Sequence, residues 1–269
     1  MVKRCTGEDE SRLLDFLQND AVYHTFLLAD IGNYGFDQEF QTVYAGLEED
    51  RITHVYLKFY GNLIVAGEAG NIDGEFLRTL TEEWKPDVIM GKAELTKAVG
   101  RWLPGYELAE KNLYLLEDSA HLIGETGLPE GVTMKKGVPG DEDKIHAFLM
   151  TIPEIRVLYA SKEMIADRLK SGDGTHLYLE RNGEMIAHVN SAAKSPFTVM
   201  LGGAAVKVTE RGKNLESLLV SRISRDILAE GKKPCLFCDR GEEHNLFVQI
   251  GFQKAGIWGT LTPKKPEEG

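Results

Sequence analysis

Short apolar segments alternate along the chain with longer segments whose apolar residues recur at helical spacing. In the first half, strands are predicted at 41–47, 52–59, 63–66 and 88–90, and a final strand runs from Gly105 to about residue 116. Helices are predicted after Thr6, near 22–30, at 73–84 and at 92–102, and the breaker at 32–35 is expected to end the second of them. Strands that alternate with helices indicate the α/β class, in its mixed α+β form.

The second half contains a two-residue hairpin signal. Asn182-Gly183 separates predicted strands at 175–181 and 184–193, and both residue types favour the positive φ that such a turn needs. A third strand is predicted at 197–208, then a helix whose apolar residues run from Leu215 to Leu228, then a strand at 234–239.

The two halves follow one plan at an offset of 132 residues. Lys135 and Lys136 match Lys3 and Arg4 at this offset, and the helical positions after each pair are similar in type. A glycine followed by an aromatic residue leads into the last strand of each half, at 105–106 and at 251–252. The expected organisation is a first domain at 1–118, a linker at 119–131 and a second domain at 132–269.

Composition and charge narrow the classes of partner. The chain has 269 residues, with 31 Lys+Arg against 42 Asp+Glu, and a formal net charge of -11. Binding to nucleic acid or to an anionic membrane surface needs a basic face, so neither partner is expected. No apolar run reaches the ~18 residues of a membrane span, and the first residues lack the apolar stretch of a signal peptide. The expected location is the cytoplasm.

The three cysteines predict neither a disulfide framework nor a metal site. Cys235 and Cys238 form a C-x-x-C pair, but no further Cys or His ligands lie near it in the sequence. Because residues 234–238 have the pattern of a short buried strand, we interpret both cysteines as core residues on opposite faces. No metal is expected.

A strand, a short turn and a long helix between residues 206 and 228 carry the sharpest chemical signal. The first N–H groups of a helix lack intrahelical partners and the helix dipole adds partial positive charge, so such a turn can bind phosphate. Gly212 allows close approach to the main chain, and Arg211 and Lys213 add charge. Asn214 tolerates left-handed φ nearly as glycine does. An ordinary exposed turn is the alternative interpretation.

This stretch resembles motif A of the GNAT N-acetyltransferases. The stretch that resembles motif A is residues 202–216, and the family pattern Arg/Gln-x-x-Gly-x-Gly/Ala aligns with it from Arg211 onward. Residues 235–252, which end in Gly251-Phe252, resemble motif B. The first half is similar to the degenerate N-terminal half of a tandem bacterial subgroup that is distantly related to glycine N-acyltransferases. The resemblance implies two tandem GNAT-like domains, each with a mixed, mostly antiparallel central sheet flanked by helices.

The same resemblance implies acetyl transfer from acetyl-CoA, or another acyl-CoA, to a small amine or amino-acid-like acceptor by direct attack. In the family, main-chain groups of the strand hold the pantetheine arm, and these map onto Val206 and Val208. Main-chain N–H groups of the turn and first helical residues hold the pyrophosphate. They map onto Arg211, Gly212, Lys213, Asn214, Leu215 and Glu216.

Three positions depart from the family pattern. Asn214 stands at the family's Gly, Glu216 at its Gly/Ala, and Phe247 at the tyrosine that protonates the departing thiolate. A carboxylate ~5 Å from a phosphate charge costs about 3 kcal/mol at an effective dielectric of roughly 20. Loss of a general acid typically costs about 10²–10⁴-fold in rate. The alternative function is therefore a catalytically impaired module that binds CoA or a protein partner, and a ligand-free scaffold is a third hypothesis.

Two histidines offer proton chemistry in the second half. His244 lies three residues before Phe247, and His188 shares one face of its strand with Asn190, so both are candidate catalytic residues. A solvated surface histidine and a satisfied core histidine are the respective alternatives.

Between two predicted helices, Glu154, Arg156 and Tyr159 are candidates to line the acceptor pocket, or else form an exposed loop. Acceptor pockets are built from variable loops, so the sequence predicts neither the acceptor nor the oligomeric state.

Overall fold

Both halves of the chain contain the same order of elements. The computed structural model describes residues 1–124, 127–159, 161–241 and 246–264. The first half contains β1 (Val2–Arg4), α1 (Glu10–Leu17), α2 (Thr25–Tyr34), β2 (Gln41–Glu48), β3 (Arg51–Phe59), β4 (Asn62–Gly67), α3 (Gly74–Trp84), β5 (Val88–Lys92), α4 (Ala93–Gly100) and β6 (Tyr106–Leu115). The second half contains β7 (Val132–Lys136), α5 (Glu142–Met150), α6 (Lys162–Ser171), β8 (His176–Arg181), β9 (Glu184–Lys194), β10 (Thr198–Val206), α7 (Leu215–Ala229), β11 (Lys233–Asp239), α8 (Leu246–Gln249) and β12 (Gln253–Pro263).

Most predicted elements are confirmed to within one or two residues, and α2 is the main exception. The helix begins at Thr25 and not near residue 22, and it continues past residue 30 but ends within the expected breaker, where Tyr34 is its last residue and Gly35, with a φ of +66°, follows it. Leu27, Leu28 and Ile31 of this helix are buried in the core. Their burial outweighs the cost of about 1 kcal/mol for a glycine in the helix interior.

The described chain forms two compact units. Unit 1 contains Met1–Leu113, Cys238–Gly241 and Ala255–Gly269, and unit 2 contains Tyr114–Phe237 and Glu242–Lys254. Most of β12 therefore belongs to unit 1, where Trp258 pairs with Lys92 and Leu261 with Ile89 of β5. This division differs from the contiguous domains expected at 1–118 and 132–269, because strand pairing is set by an available edge and an apolar face and not by sequence distance.

Unit 1 is a sheet with a helical layer on each face. Its strand order is β1-β2-β3-β4-β5-β12-β6, antiparallel between successive strands from β1 to β4 and between β5 and β12, and parallel between β4 and β5. Side chains alternate between the faces, as they must along a strand. Val55 and Leu57 pack with α1 and α2, whereas Tyr56 packs with Leu77 of α3 and Val99 of α4.

Unit 2 repeats this arrangement. Its strands follow the order β11-β10-β9-β8-β7, antiparallel except for the parallel pair β10 and β11. The hairpin turn between β8 and β9 is confirmed, because Asn182 and Gly183 have φ of +54° and +82°. Helices α5 and α6 bury Ile145 and Leu169 against the sheet, and α7 packs against β8, β9 and β10.

The segment expected as a linker is held against α7. The Ile123 N–H donates to Ser221 Oγ at 3.1 Å, and Arg225 Nη2 donates to the Ile123 carbonyl at 2.7 Å. In the described residues around this point, the segment is part of unit 2.

None of the helices described is both long enough and apolar enough to cross a membrane.

Candidate functional site

The parallel pairing between β10 and β11 stops partway along β10. Only Thr198, Val199 and Met200 pair with β11, although β10 continues to Val206. Through the rest of its length β10 keeps its partner β9 on the other side. Within the described residues, the main-chain groups of 201–206 that face away from β9 have no strand partner. The free edge is an opening in the sheet at which an extended ligand can pair with main-chain groups.

A bulge lies in β10 where the strand leaves β11. Gly202 pairs with Asn190 and Ala205 with His188, so β10 advances three residues while β9 advances two. Gly203 has a φ of +56°, which glycine adopts without strain. A bulge bends its strand and increases its twist, which accounts for the separation from β11.

The turn from β10 to α7 has the geometry of an anion cradle. Gly212 has a φ of +81°, and Asn214, the residue before the helix, has φ +56° and ψ +20°. In the described chain, the N–H groups of Gly212, Lys213 and Asn214 donate to no main-chain carbonyl. Such runs of main-chain N–H groups at a helix N-terminus form a concave site for phosphate.

The charged side chains of this turn are held in ion pairs. Arg211 Nη2 lies 3.1 Å from Glu154 Oε1, and Lys213 Nζ lies 3.0 Å from Glu210 Oε2. The hydrogen bond from Lys213 is the main interaction that lowers the pKa of Glu210 below its usual value. A hydrogen bond with its own main chain, and then the one from Arg211, lower the pKa of Glu154. Both carboxylates stay ionised, so a phosphate group would compete with them for the two cations.

The predicted pantetheine residues occupy different settings. Val206 is the last residue of β10 and is buried, whereas Val208 lies in a 3-10 turn at Val208–Glu210 and is 65% exposed. The predicted strand at 197–208 is therefore too long by two residues at its end. Main-chain pairing next to β9 ends with the Lys207 N–H, which donates to the Ile186 carbonyl at 2.9 Å.

Two of the residues that depart from the family pattern, Glu216 and Phe247, lie on the helices where the sequence placed them. Leu215 is buried and anchors the start of α7, and Glu216, one residue on, is half-buried in its first turn. Phe247 lies on α8, with its ring centroid 6.2 Å from that of Phe252. His244, the candidate proton donor near it, lies outside the described residues.

His188 is fully buried and both of its ring nitrogens are in hydrogen bonds. Nδ1 lies 2.8 Å from the Gly203 carbonyl and Nε2 lies 2.9 Å from His176 Nδ1. Burial lowers the pKa of His188 to about 4, and burial followed by the neighbouring imidazole lowers that of His176 to about 3. His188 therefore stays neutral at pH 7, with no lone pair free to receive a proton from a substrate.

Of the three acceptor-pocket candidates, Tyr159 reaches the bulge. Its hydroxyl donates to Asn190 Oδ1 at 2.8 Å, and burial raises its pKa to about 12. Glu154 and Arg156 lie on the same segment, and Glu154 is the residue that pairs with Arg211. His176 was not predicted from the sequence. The only pattern that could have indicated it is the hairpin register, which pairs His176 of β8 with Asn190 of β9.

In the described part of unit 1, the start of the corresponding helix, α3, is occupied by side chains. The Asp73 side chain accepts the Phe76 N–H at 3.0 Å and so occupies the start of α3 with a carboxylate. The Trp102 ring packs so closely on Gly74 that a Cβ there would lie 2.1 Å from it. A carboxylate and an indole ring therefore fill the space that a phosphate would need.

The cysteines and metal-binding side chains form no site among the residues described. Within the described chain, Cys5, Cys235 and Cys238 are buried and form no disulfide, and no group of three or more His, Cys, Asp or Glu side chains is arranged to hold a metal ion.

Known proteins match this chain in structure but not in sequence. No protein-family profile matches the chain, and no curated protein sequence matches it. Solved structures do match over nearly the full length. A Drosophila protein superposes with a TM-score of 0.72 at 14% identity, covering 98% of each chain.

Two further structures resemble the chain and carry functional names. A tandem GNAT protein from the clavulanic acid biosynthesis pathway has a TM-score of 0.63 at 12% identity, covering 100% of this chain and 99% of its own. A GCN5-related N-acetyltransferase from Kribbella flavida has a TM-score of 0.61 at 12% identity, covering 80% and 88%. These similarities show that the chain has the tandem GNAT fold.

Proposed function

We propose that unit 2 transfers an acetyl group from acetyl-CoA, or another acyl-CoA, to a small amine or amino-acid-like acceptor. The observation that carries this proposal is the free edge of β10 at 201–206, followed directly by the main-chain cradle at the start of α7. Unpaired main-chain N–H groups at a helix N-terminus are suited to a pyrophosphate, and an unpaired strand edge is suited to an extended thioester arm. Fold similarity to N-acetyltransferases supports acyl transfer in general.

The chain's main-chain groups would do most of the binding. The N–H groups of Gly212, Lys213 and Asn214 would hold the pyrophosphate, and the unpaired groups of β10 would hold the arm. When bound, the acyl-CoA supplies a thioester carbonyl that an amine can attack. The new bond would join the amine nitrogen to the carbonyl carbon. The bond from that carbon to sulfur would break with its electron pair on the CoA thiolate, and the proton lost by the nitrogen would pass to that thiolate through water. A main-chain N–H at the bulge would polarise the carbonyl.

Phe247 explains why this activity is expected to be slow. In the family a tyrosine at this position donates a proton to the departing thiolate, and phenylalanine has the ring without the hydroxyl. Phe247→Tyr should therefore raise kcat, by about 10-fold or more, because a positioned general acid typically contributes about 10²–10⁴-fold. Stopped and continuous assays of thiol release would measure the change. Equal or lower kcat in Phe247→Tyr, with unchanged affinity for acetyl-CoA, would contradict this role for the position.

The activity itself is tested by release of free CoA thiol from acetyl-CoA in the presence of a panel of amines and amino acids. Release that depends on one amine class, with the acetylated amine detected by mass spectrometry, is the expected result. A variant with Gly212→Pro should lose this release, because proline fixes φ near −65° and removes an N–H from the cradle. Binding of acetyl-CoA with no release across the panel would contradict the enzyme proposal.

A CoA-binding module without catalysis is the second candidate, and Phe247 favours it, because a phenylalanine ring has no hydroxyl with which to protonate a departing thiolate. This candidate shares the binding site and differs only in turnover, so the same assay separates the two. For either candidate we propose a small-molecule ligand, with no nucleic acid, and action in the cytoplasm.

A further inference from the structure

Two buried hydrogen-bond chains meet at the bulge of β10. One begins on the segment between α5 and α6, where Tyr159 Oη donates to Asn190 Oδ1 at 2.8 Å. The other begins on β8, where His176 Nδ1 contacts His188 Nε2 at 2.9 Å, and it ends at the Gly203 carbonyl, 2.8 Å from His188 Nδ1. All four side chains are at least nine-tenths buried.

The direction of the histidine chain is fixed by its last member. A carbonyl oxygen only accepts, so His188 Nδ1 carries the hydrogen and, in the neutral ring, Nε2 is a lone pair. His176 Nδ1 must then be the donor to it. His176 Nε2 is left as a lone pair without a partner among the described residues. The Gly203 carbonyl therefore accepts from His188 Nδ1–H, and this N–H is committed to that carbonyl.

The glycines of the bulge make room for these contacts. A Cβ on Gly202 would lie 2.8 Å from Tyr159 Oη, and one on Gly203 would lie 2.6 Å from Asn190 Oδ1 and 2.9 Å from Tyr159 Oη. The polar groups thus rest directly on the backbone of the bulge. Tyr159 also connects this backbone to the segment that carries Glu154, the partner of Arg211.

We propose that Tyr159 and His188 are positioning residues, which fix the bulge so that its main-chain groups face the reacting thioester. The inference rests on the proposed function, because the free edge of β10 begins at residue 201, beside the bulge. Neither side chain touches the substrate. His188 aligns the carbonyl of Gly203. Tyr159 fixes the distance between the bulge and the segment between α5 and α6, which carries Glu154.

The test compares two buried tyrosines of the same core. Tyr159→Phe removes the hydroxyl at the bulge, and Tyr178→Phe removes a hydroxyl that donates to Asp141 Oδ2 at 3.2 Å. For Tyr159→Phe we expect kcat to fall about 10- to 100-fold with the Kd for acetyl-CoA within about 2-fold, since small displacements at a reacting centre cost up to about 10²-fold. For Tyr178→Phe we expect kcat to stay within about 2-fold.

A second pair of variants tests the histidine. Asparagine can place an N–H where His188 Nδ1 lies, whereas leucine cannot. His188→Asn should therefore retain more of kcat than His188→Leu, by about 10-fold, in samples whose thermal unfolding confirms that both are folded. Equal kcat in these two variants, or wild-type kcat in Tyr159→Phe, would overturn the inference.

Amide hydrogen exchange keeps the inference separate from the proposed function. If the natural protein neither binds acetyl-CoA nor releases thiol, the proposed function fails. Faster exchange in the bulge, from Gly202 to Ala205, in Tyr159→Phe and His188→Leu but not in Tyr178→Phe would still support the structural part of the inference. Unchanged exchange in the first two variants would overturn it, whatever the activity.

Discussion

At the scale of single residues, Asn214 shows how a departure from a family pattern is accommodated. Its φ of +56° lies in the left-handed region, which asparagine enters at less cost than other residues with a side chain. Its side chain makes no capping hydrogen bond to α7. Asn214 therefore serves the turn through its backbone conformation and not through a cap made by its amide.

This gives a prediction for the stability of the turn. Asn214→Ala should lower the free energy of unfolding by about 1 kcal/mol, whereas Asn214→Gly should change it by less than about 0.5 kcal/mol. Urea unfolding of the three proteins measures both values. A glycine variant as unstable as the alanine variant would show that the amide, and not the backbone, is what the turn needs.

The buried histidine pair gives a prediction for pH. The pKa values of His176 and His188 in the folded protein, about 3 and about 4, lie below the unfolded value of about 6.5. The unfolded chain therefore takes up protons first as the pH falls. The stability due to the neutral pair is complete above about pH 6.5 and is lost towards pH 4, by about 1.4 kcal/mol per pH unit for each histidine.

Chemical unfolding at pH 7, 6 and 5 measures this loss. His176→Phe removes one of the two groups, so its stability should fall less steeply over this interval, by about 1 kcal/mol per pH unit, even if it is less stable at pH 7. The same slope in both proteins would mean that the pair does not account for the acid sensitivity.

At the scale of elements, local chemistry made most of the fold predictable. The hairpin at Asn182-Gly183, the helix from Leu215 and the strand around Cys235 follow from residue type and spacing, and the structure contains all three. The turn conformation of the cradle was also predictable, since Gly212 and Asn214 are among the few residue types that accept positive φ.

The parts that escaped sequence reasoning depend on distant partners. The glycine pair at 202–203 inside a strand pattern permits a bulge, but nothing local marks the loss of pairing between β10 and β11, because that depends on how three strands meet. The link from His176 to His188 requires the register of β8 against β9. The burial of Leu27 and Ile31, which carries α2 past Gly32, is likewise a tertiary effect.

At the scale of the whole molecule, the chain's last strand completes the sheet of unit 1. Trp258 and Leu261 of β12 are 2% and 1% exposed, and β12 lies beside β5 in the strand order. Unit 1 therefore depends on residues at the far end of the sequence. A fragment that stops at residue 118 lacks this strand and leaves the edge of β5 without it.

Truncation tests this dependence. A chain that ends after Phe252 should show faster amide exchange in β4 and β5, because two large side chains leave the core and each costs about 2–5 kcal/mol. A chain that ends after Lys264 keeps β12 and serves as the control. Unchanged exchange in β4 and β5 of the shorter chain would contradict the assignment of β12 to unit 1.

The central claim for the molecule is that the cradle at the start of α7 binds acetyl-CoA. Titration calorimetry of the natural protein with acetyl-CoA tests it most directly, with Glu216→Ala and the control Glu230→Ala, at the opposite end of α7, in parallel. We predict one binding site per chain, with about 10-fold tighter binding in Glu216→Ala because a negative charge in the first turn of α7, next to the cradle, is removed, and no change in Glu230→Ala. Absence of binding in all three proteins would contradict the account.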